Sequence, residues 1–174
     1  METKQLFVLR HAKSSWDDPR LPDHDRPLAP RGQKAVGVLH EYIRSRGIEP
    51  SLVLCSSAKR TLETLDGVEP GGVHRIEPEL YHAGASALIE RLRQVPEDVP
   101  SVMLIGHNPA MQLLVLRLAD PAGSDADDPR LADVRQKFPT GGLATLEFEC
   151  GWGELAPSCG RLTDLVRPKQ LAGA

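Results

Sequence analysis

The 174-residue chain contains no apolar run near the roughly 18–20 residues that a bilayer span requires, so a membrane-spanning helix is not expected. Its first stretch, METKQLFVLRHAK, meets charge too early for the apolar segment of a secretory leader, and a soluble cytoplasmic protein is the expectation. Net cationic charge is also missing. The formal charge of −3 argues against a nucleic-acid binder held by bulk electrostatics, although local arginine clusters remain open. Cysteine is scarce and odd in number: Cys55, Cys150 and Cys159 show no C-x-x-C spacing. Neither a disulfide framework nor a zinc site is favoured, and free thiols are expected. A G-x-x-x-x-G-K-[ST] phosphate loop is absent too, which leaves a nucleotide triphosphatase without its cradle.

What is present suits one sizeable core. With 40% hydrophobic and 26% charged residues, residues 1–174 are read as a single domain. The run QLFVLR at 5–10 reads as a buried strand, followed by a loop over 12–29 rich in Asp, Pro and Ser. Helical spacing of Ala35, Val36, Leu39, Tyr42 and Ile43 predicts a helix from Pro30 to Arg46, with Gly47 as a left-handed cap. A strand at 51–55 then leads to a helix ending near Asp66, with Ser56 and Ser57 as its N-cap candidates. An extended piece near 74–80, a helix at 85–95, a strand at 101–106 and a helix at 109–119 opened by Asn108 and Pro109 continue the alternation. Strand followed by helix, several times over, implies an α/β fold of three layers (α/β/α) with a mostly parallel sheet, and an edge antiparallel strand is expected beside it. The stretch 120–137, with five aspartates, reads as a mobile acidic loop, and strands at 143–149 and 161–166 extend the sheet at an edge.

The unusual residues fall at the ends of three strands. Arg10-His11 follows the first strand, Ser56 and Arg60 follow the second, and His107-Asn108-Pro109 follows the strand 101–106. That edge of an open α/β sheet binds ligands, because loops diverge there and helix N-termini present free N–H groups. Two arginines, two histidines and two helix starts describe a site for a phosphate dianion. Neutral imidazole attacks phosphorus when one ring nitrogen keeps its proton on a carbonyl and the other keeps its lone pair. His11 is therefore assigned as nucleophile, Arg10 and Arg60 as clamps, and His107 as a donor to the transferring group.

In these residues the chain resembles the histidine phosphatase superfamily, which includes the cofactor-dependent phosphoglycerate mutases. Arg10-His11-Ala12 matches the Arg-His-Gly signature at its two chemical positions and departs at the third. Lys13-Ser14-Ser15-Trp16 is similar to its continuation, where a Ser often touches phosphate, and Ser14 takes that place. Asp17 stands where mutase-like members carry Asn. Ser56-x3-Arg60-x3-Thr64 and Gly106-His107-Asn108-Pro109 match the segments bearing the second arginine and the second histidine. The runs HDRPLAPRG at 24–32 and FPTGG at 138–142 resemble the compact SixA-type phosphohistidine phosphatases most. The resemblance implies a phosphoglycerate mutase-like fold, a phosphohistidine intermediate, no metal and no cofactor. It also implies a site open enough for a phosphorylated protein as well as a small phosphorylated substrate. Mutase-like members take their general acid from a Glu after the third strand, and Glu79 is the nearest candidate. An imidazole leaves phosphorus more easily than an alkoxide, which favours an N-linked phosphate where that acid is lacking.

Rival readings remain. Cys55 ends a strand and Arg60 opens a helix, but CSSAKR places four residues between them where a thiolate phosphate loop needs five. His24, His40, His74 and His82 read as loop or surface residues, and a divalent metal at His24 among Asp17, Asp18, Asp23 and Asp25 is disfavoured. A small-metabolite phosphomonoesterase of the same superfamily and a non-catalytic phosphate-binding module stand as alternatives.

Overall fold

A computed structural model describes residues 3–119 and 128–171 of the chain. The elements run in the order β1 (Lys4–Arg10), α1 (Pro30–Ser45), β2 (Leu52–Ser56), α2 (Lys59–Val68), β3 (Val73–Glu77), α3 (Ala85–Arg93), β4 (Ser101–Gly106), α4 (Ala110–Ala119), α5 (Pro129–Gln136), β5 (Leu143–Phe148), β6 (Gly160–Val166) and α6 (Pro168–Leu171). Short 3-10 turns lie at Asp23–Asp25, Pro78–Leu80 and Trp152–Glu154.

Six strands form one sheet in the order β3-β2-β4-β1-β5-β6. The first four are parallel; β5 runs antiparallel to β1, and β6 antiparallel to β5. The central strands β2 and β4 are buried at every position and mostly apolar because both faces are covered, and the pleat sends alternate residues to opposite sides. Leu6, Val8, Leu52, Leu54, Val102 and Leu104 enter one core with the apolar faces of α3, α4 and α5. Phe7, Leu9, Val53, Cys55, Met103 and Ile105 enter a second core with α1 and α2. The layers are therefore helix, sheet, helix. Among the described residues no helix is long and apolar enough to cross a membrane.

Two local expectations need correction. Within the stretch expected to be a loop, Pro129–Gln136 is a helix, while residues 120–127 lie outside the described residues. Asp128 caps it by accepting the Arg130 N–H at 2.9 Å, Pro129 sits in its first turn, and buried Leu131 and Val134 anchor it toward α4 and β6. The aspartates obscured a short amphipathic face. Second, neither Ser56 nor Ser57 caps α2. The cap residue is Ala58, with no side-chain bond, because both hydroxyls are spent on histidines: Ser56 on His107 and Ser57 on His24, each at 2.8 Å.

Candidate active site

The register of the sheet builds the site. Arg10 pairs with Gly106 across β1 and β4, and Cys55 pairs with Ile105 across β2 and β4, so the three strands end side by side. The residues that follow them converge, and the His11 and His107 rings stand 5.4 Å apart. His11 is buried, and its Nδ1 lies 2.7 Å from the Ala12 carbonyl oxygen. A carbonyl only accepts, so Nδ1 carries the proton and Nε2 retains its lone pair. The Ala12 peptide is held in turn by its N–H donating to Thr64 Oγ1 at 3.1 Å, and the Thr64 hydroxyl donates to the Arg60 carbonyl at 2.7 Å. Thr64 thus ties the loop after β1 to the first turn of α2.

The FPTGG run forms the opposite wall. Gly141 donates its N–H to the carbonyls of Arg10 and His11, at 3.0 and 2.9 Å. Its φ of +75° is the left-handed conformation that glycine adopts at no steric cost. Arg10 Nη1 and Asn108 Nδ2 both donate to the Phe138 carbonyl, at 3.0 and 2.9 Å. Arg60 is buried, and its Nη1 and Nη2 donate to the carbonyl and the carboxylate of Asp23, at 2.7 and 2.9 Å. The same carboxylate accepts from Arg26 Nη1 at 2.8 Å and from the Tyr81 hydroxyl. Arg26 reaches on to Ser14 Oγ at 2.5 Å and to the Ser15 carbonyl at 3.0 Å, and its guanidinium carbon lies 3.3 Å from the centre of the Trp16 ring. Beside His107, a cleft of about 310 Å³ is lined by Tyr81, His82, Asn108, Pro109 and Leu113.

Electrostatics match an anion site. Burial first, and then the charges of His107, Arg60 and Arg10, push His11 down to about 3 despite the opposing Ala12 bond. Burial and then Arg60 push His107 down to about 4. Both imidazoles are neutral at working pH. Burial and the neighbouring Arg60 charge also pull the Arg10 guanidinium below its ordinary value. Asp23 sits well below the usual carboxylate range: the Tyr81 hydroxyl, then Arg60 and Arg26, outweigh its burial. Among the described residues Arg10 Nε and His107 Nδ1 are buried without hydrogen-bond partners, an arrangement that a bound oxyanion would satisfy.

The sheet therefore brings Arg10, His11, Arg60 and His107 together, and Arg26 links Ser14 to them through Asp23. Glu79 is exposed on the Pro78–Leu80 turn, where its charge is felt by Arg91, the ion-pair partner of Glu77 at 2.8 Å. The sequence does not single out Arg26 or Tyr81, and it offers Asp23 only as one of the carboxylates beside His24. Arg26 lay within the HDRPLAPRG run, but nothing local told it apart from a surface arginine. Cys55 is fully buried, donates its thiol to the Ser56 and Thr61 carbonyls, and is pushed up to about 12 by burial, so it is no thiolate nucleophile. Among the described residues no cluster of three or more His, Cys, Asp and Glu is placed to hold a metal ion.

Comparison with known proteins decides the family. The profile of the histidine phosphatase superfamily (branch 1) matches residues 6–82. An uncharacterised Mycobacterium tuberculosis protein, Rv1276c, is 35% identical over 162 residues, covering 92% of this chain and 100% of its own. The chain belongs to the histidine phosphatase superfamily. A solved structure from Nakamurella, assigned as a phosphohistidine phosphatase SixA, superposes with a TM-score of 0.86 at 27% identity, covering 97% of this chain and 98% of that one. A second structure assigned to SixA, from Agrobacterium tumefaciens, gives 0.77 at 28% identity, covering 95% and 98%. This histidine phosphatase thus has the SixA-like, phosphoglycerate mutase-like fold, and it is a phosphatase enzyme.

Proposed function

We propose that the protein is a phosphohistidine phosphatase of SixA type, acting without a metal ion through transient phosphorylation of His11. The observation that carries this reading is the Nδ1–H of His11 fixed on the Ala12 carbonyl at 2.7 Å in a buried, arginine-flanked site. The Nε2 lone pair forms a bond to phosphorus while the bond from phosphorus to the substrate imidazole breaks. Arg10, Arg60 and the Nδ1 of His107 hold the phosphoryl oxygens as charge moves. These preorganised donors supply the charge stabilisation that a metal would otherwise provide. Because Nδ1 keeps its proton throughout, His11 leaves as neutral imidazole when water attacks the phosphoenzyme and phosphate is released.

The same argument favours an N-linked substrate. A phosphohistidine protonated on its distal ring nitrogen also departs as neutral imidazole and needs no dedicated acid. An alkyl phosphate departs as alkoxide and needs one. Glu79 is exposed, its charge is felt by Arg91, and among the described residues it makes no hydrogen bond to His11 or His107. The two substrate classes are separated by comparing turnover of a phosphohistidine peptide with that of an unactivated alkyl phosphate, both in EDTA. Faster hydrolysis of the peptide supports the reading. Efficient turnover of the alkyl phosphate would shift it to a small-metabolite phosphomonoesterase, and loss of all activity in EDTA would remove the metal-free chemistry.

A further inference from the structure

Ser56 is the last residue of β2, and the pairing of Cys55 with Ile105 sets it beside the residue that follows β4, His107. Its side chain is fully buried. The hydroxyl oxygen lies 2.8 Å from His107 Nε2, and the other group within hydrogen-bond reach is the Ala58 N–H at 3.4 Å. An N–H only donates, so it occupies a lone pair on Oγ and offers nothing to the hydroxyl proton. Among the described residues that proton has one acceptor in reach, the Nε2 of His107. With the roles reversed, Nε2–H would donate into Oγ and the Ser56 proton would be buried without an acceptor, which protein interiors avoid. Ser56 is itself held in place, because its carbonyl accepts from the Thr61 hydroxyl at 2.8 Å.

The opposite edge of the ring completes the argument. If Nε2 accepts, the single proton of a neutral His107 is on Nδ1, and Nδ1 is buried without a partner. We propose that Ser56 is a positioning residue that locks His107 as the Nδ1–H tautomer, so that a neutral imidazole donates to the transferring phosphoryl group. Histidine in water prefers its proton on Nε2. Without Ser56 the ring would more often aim a lone pair at the phosphoryl oxygens, which repels them. The catalytic use of the tautomer rests on the phosphatase reading above; the tautomer itself does not.

The test is nitrogen NMR of the full chain labelled with ¹⁵N-histidine at neutral pH, the His107 signals being assigned by their loss in His107→Gln. Wild-type His107 is expected to show a protonated, pyrrole-like Nδ1 and an unprotonated, pyridine-like Nε2. In Ser56→Ala the pattern moves toward the opposite tautomer, and kcat for an aryl phosphate falls about 10–100-fold while KM stays within about twofold, since part of one oxyanion donor is lost. Ser56→Thr retains the hydroxyl and restores both the tautomer and kcat. A pyridine-like Nδ1 in the wild type overturns the proposal whatever the variants do, and so does Ser56→Ala with unchanged kcat. A wild type with no aryl phosphatase turnover refutes the phosphatase reading instead, and the NMR pattern still decides the tautomer.

Discussion

Two glycines in one helix should respond to alanine with opposite signs. Gly32 and Gly37 both lie in α1. In an exposed helix, Gly→Ala stabilises by about 0.5–1 kcal/mol, because alanine loses less backbone entropy on folding. At Gly37 a Cβ would meet nothing within 4 Å, so that gain should appear in full. At Gly32 a Cβ would sit 2.1 Å from the Lys13 carbonyl oxygen and 3.0 Å from its carbonyl carbon, both backbone atoms. Relief requires the helix and the loop to separate by about 1.4 Å, since ordinary van der Waals contacts lie at ~3.5 Å. Overpacking of this kind costs about 1–3 kcal/mol and exceeds the entropic gain. The Ala29 N–H donates to that same Lys13 carbonyl at 2.8 Å, and the displaced strand of loop carries the Ala12 carbonyl that orients His11. Gly32→Ala should therefore lower both Tm and kcat, while Gly37→Ala raises Tm and leaves kcat alone. Urea unfolding gives the free energies, and thermal scans should move by about 2–4 °C per kcal/mol for a chain of this size. Equal stabilisation by both substitutions would refute the close approach of α1 to the active-site loop.

Arg60→Lys keeps the charge but loses the fork that reaches the Asp23 carbonyl and carboxylate together, so kcat/KM for an aryl phosphate should fall about 100–1000-fold; a fall under threefold would contradict the clamp. The two active-site imidazoles predict the pH dependence of folding. His11 and His107 titrate near 3 and 4 in the folded chain and near 6.5 unfolded, so the unfolded chain binds more protons between those values. Their contribution is complete above about pH 6.5 and is lost as pH falls toward 4 and 3. Asp23, depressed when folded, adds stability that is lost at still lower pH. Urea titrations of His107→Gln against wild type should show the His107 share of this slope disappear; parallel curves would contradict it. Cys55→Ala should retain the phosphoenzyme and resist thiol reagents as wild type does, and abolition of phosphoenzyme formation would reopen a cysteine mechanism.

Much of the sheet is legible because its strands are short apolar runs with turn signals around them, and the alternation at 143–149 marks an edge strand, although both β5 and β6 run antiparallel where one such strand was expected. Arg10, His11, Arg60 and His107 were legible for a topological reason. Residues that directly follow parallel strands, or open the helix after one, converge wherever the fold brings those strands side by side. Asp23, Arg26 and Tyr81 belong to a long loop and a 3-10 turn, where no periodicity fixes which side chains meet. Their partnership exists only through tertiary contacts among residues as far apart as Asp23 and Tyr81. Ser56 was legible as a polar residue before a helix, and a cap is the usual use of such a serine. A nearby histidine competed for its hydroxyl and won. Helix α5 was hidden because five aspartates in 18 residues suggest a solvated loop, whereas Asp128 is a cap and Asp133 an exposed position on a helix with two buried anchors.

The central claim is that His11 Nε2 carries the phosphoryl group. Its most direct measurement is rapid quench of the protein with an aryl phosphate in EDTA, followed by localisation of the bound phosphate. Phosphate that is acid-labile, base-stable and confined to His11, and absent in His11→Ala, is the expected result. A phosphoenzyme that survives His11→Ala, or phosphate found on another residue, would contradict it.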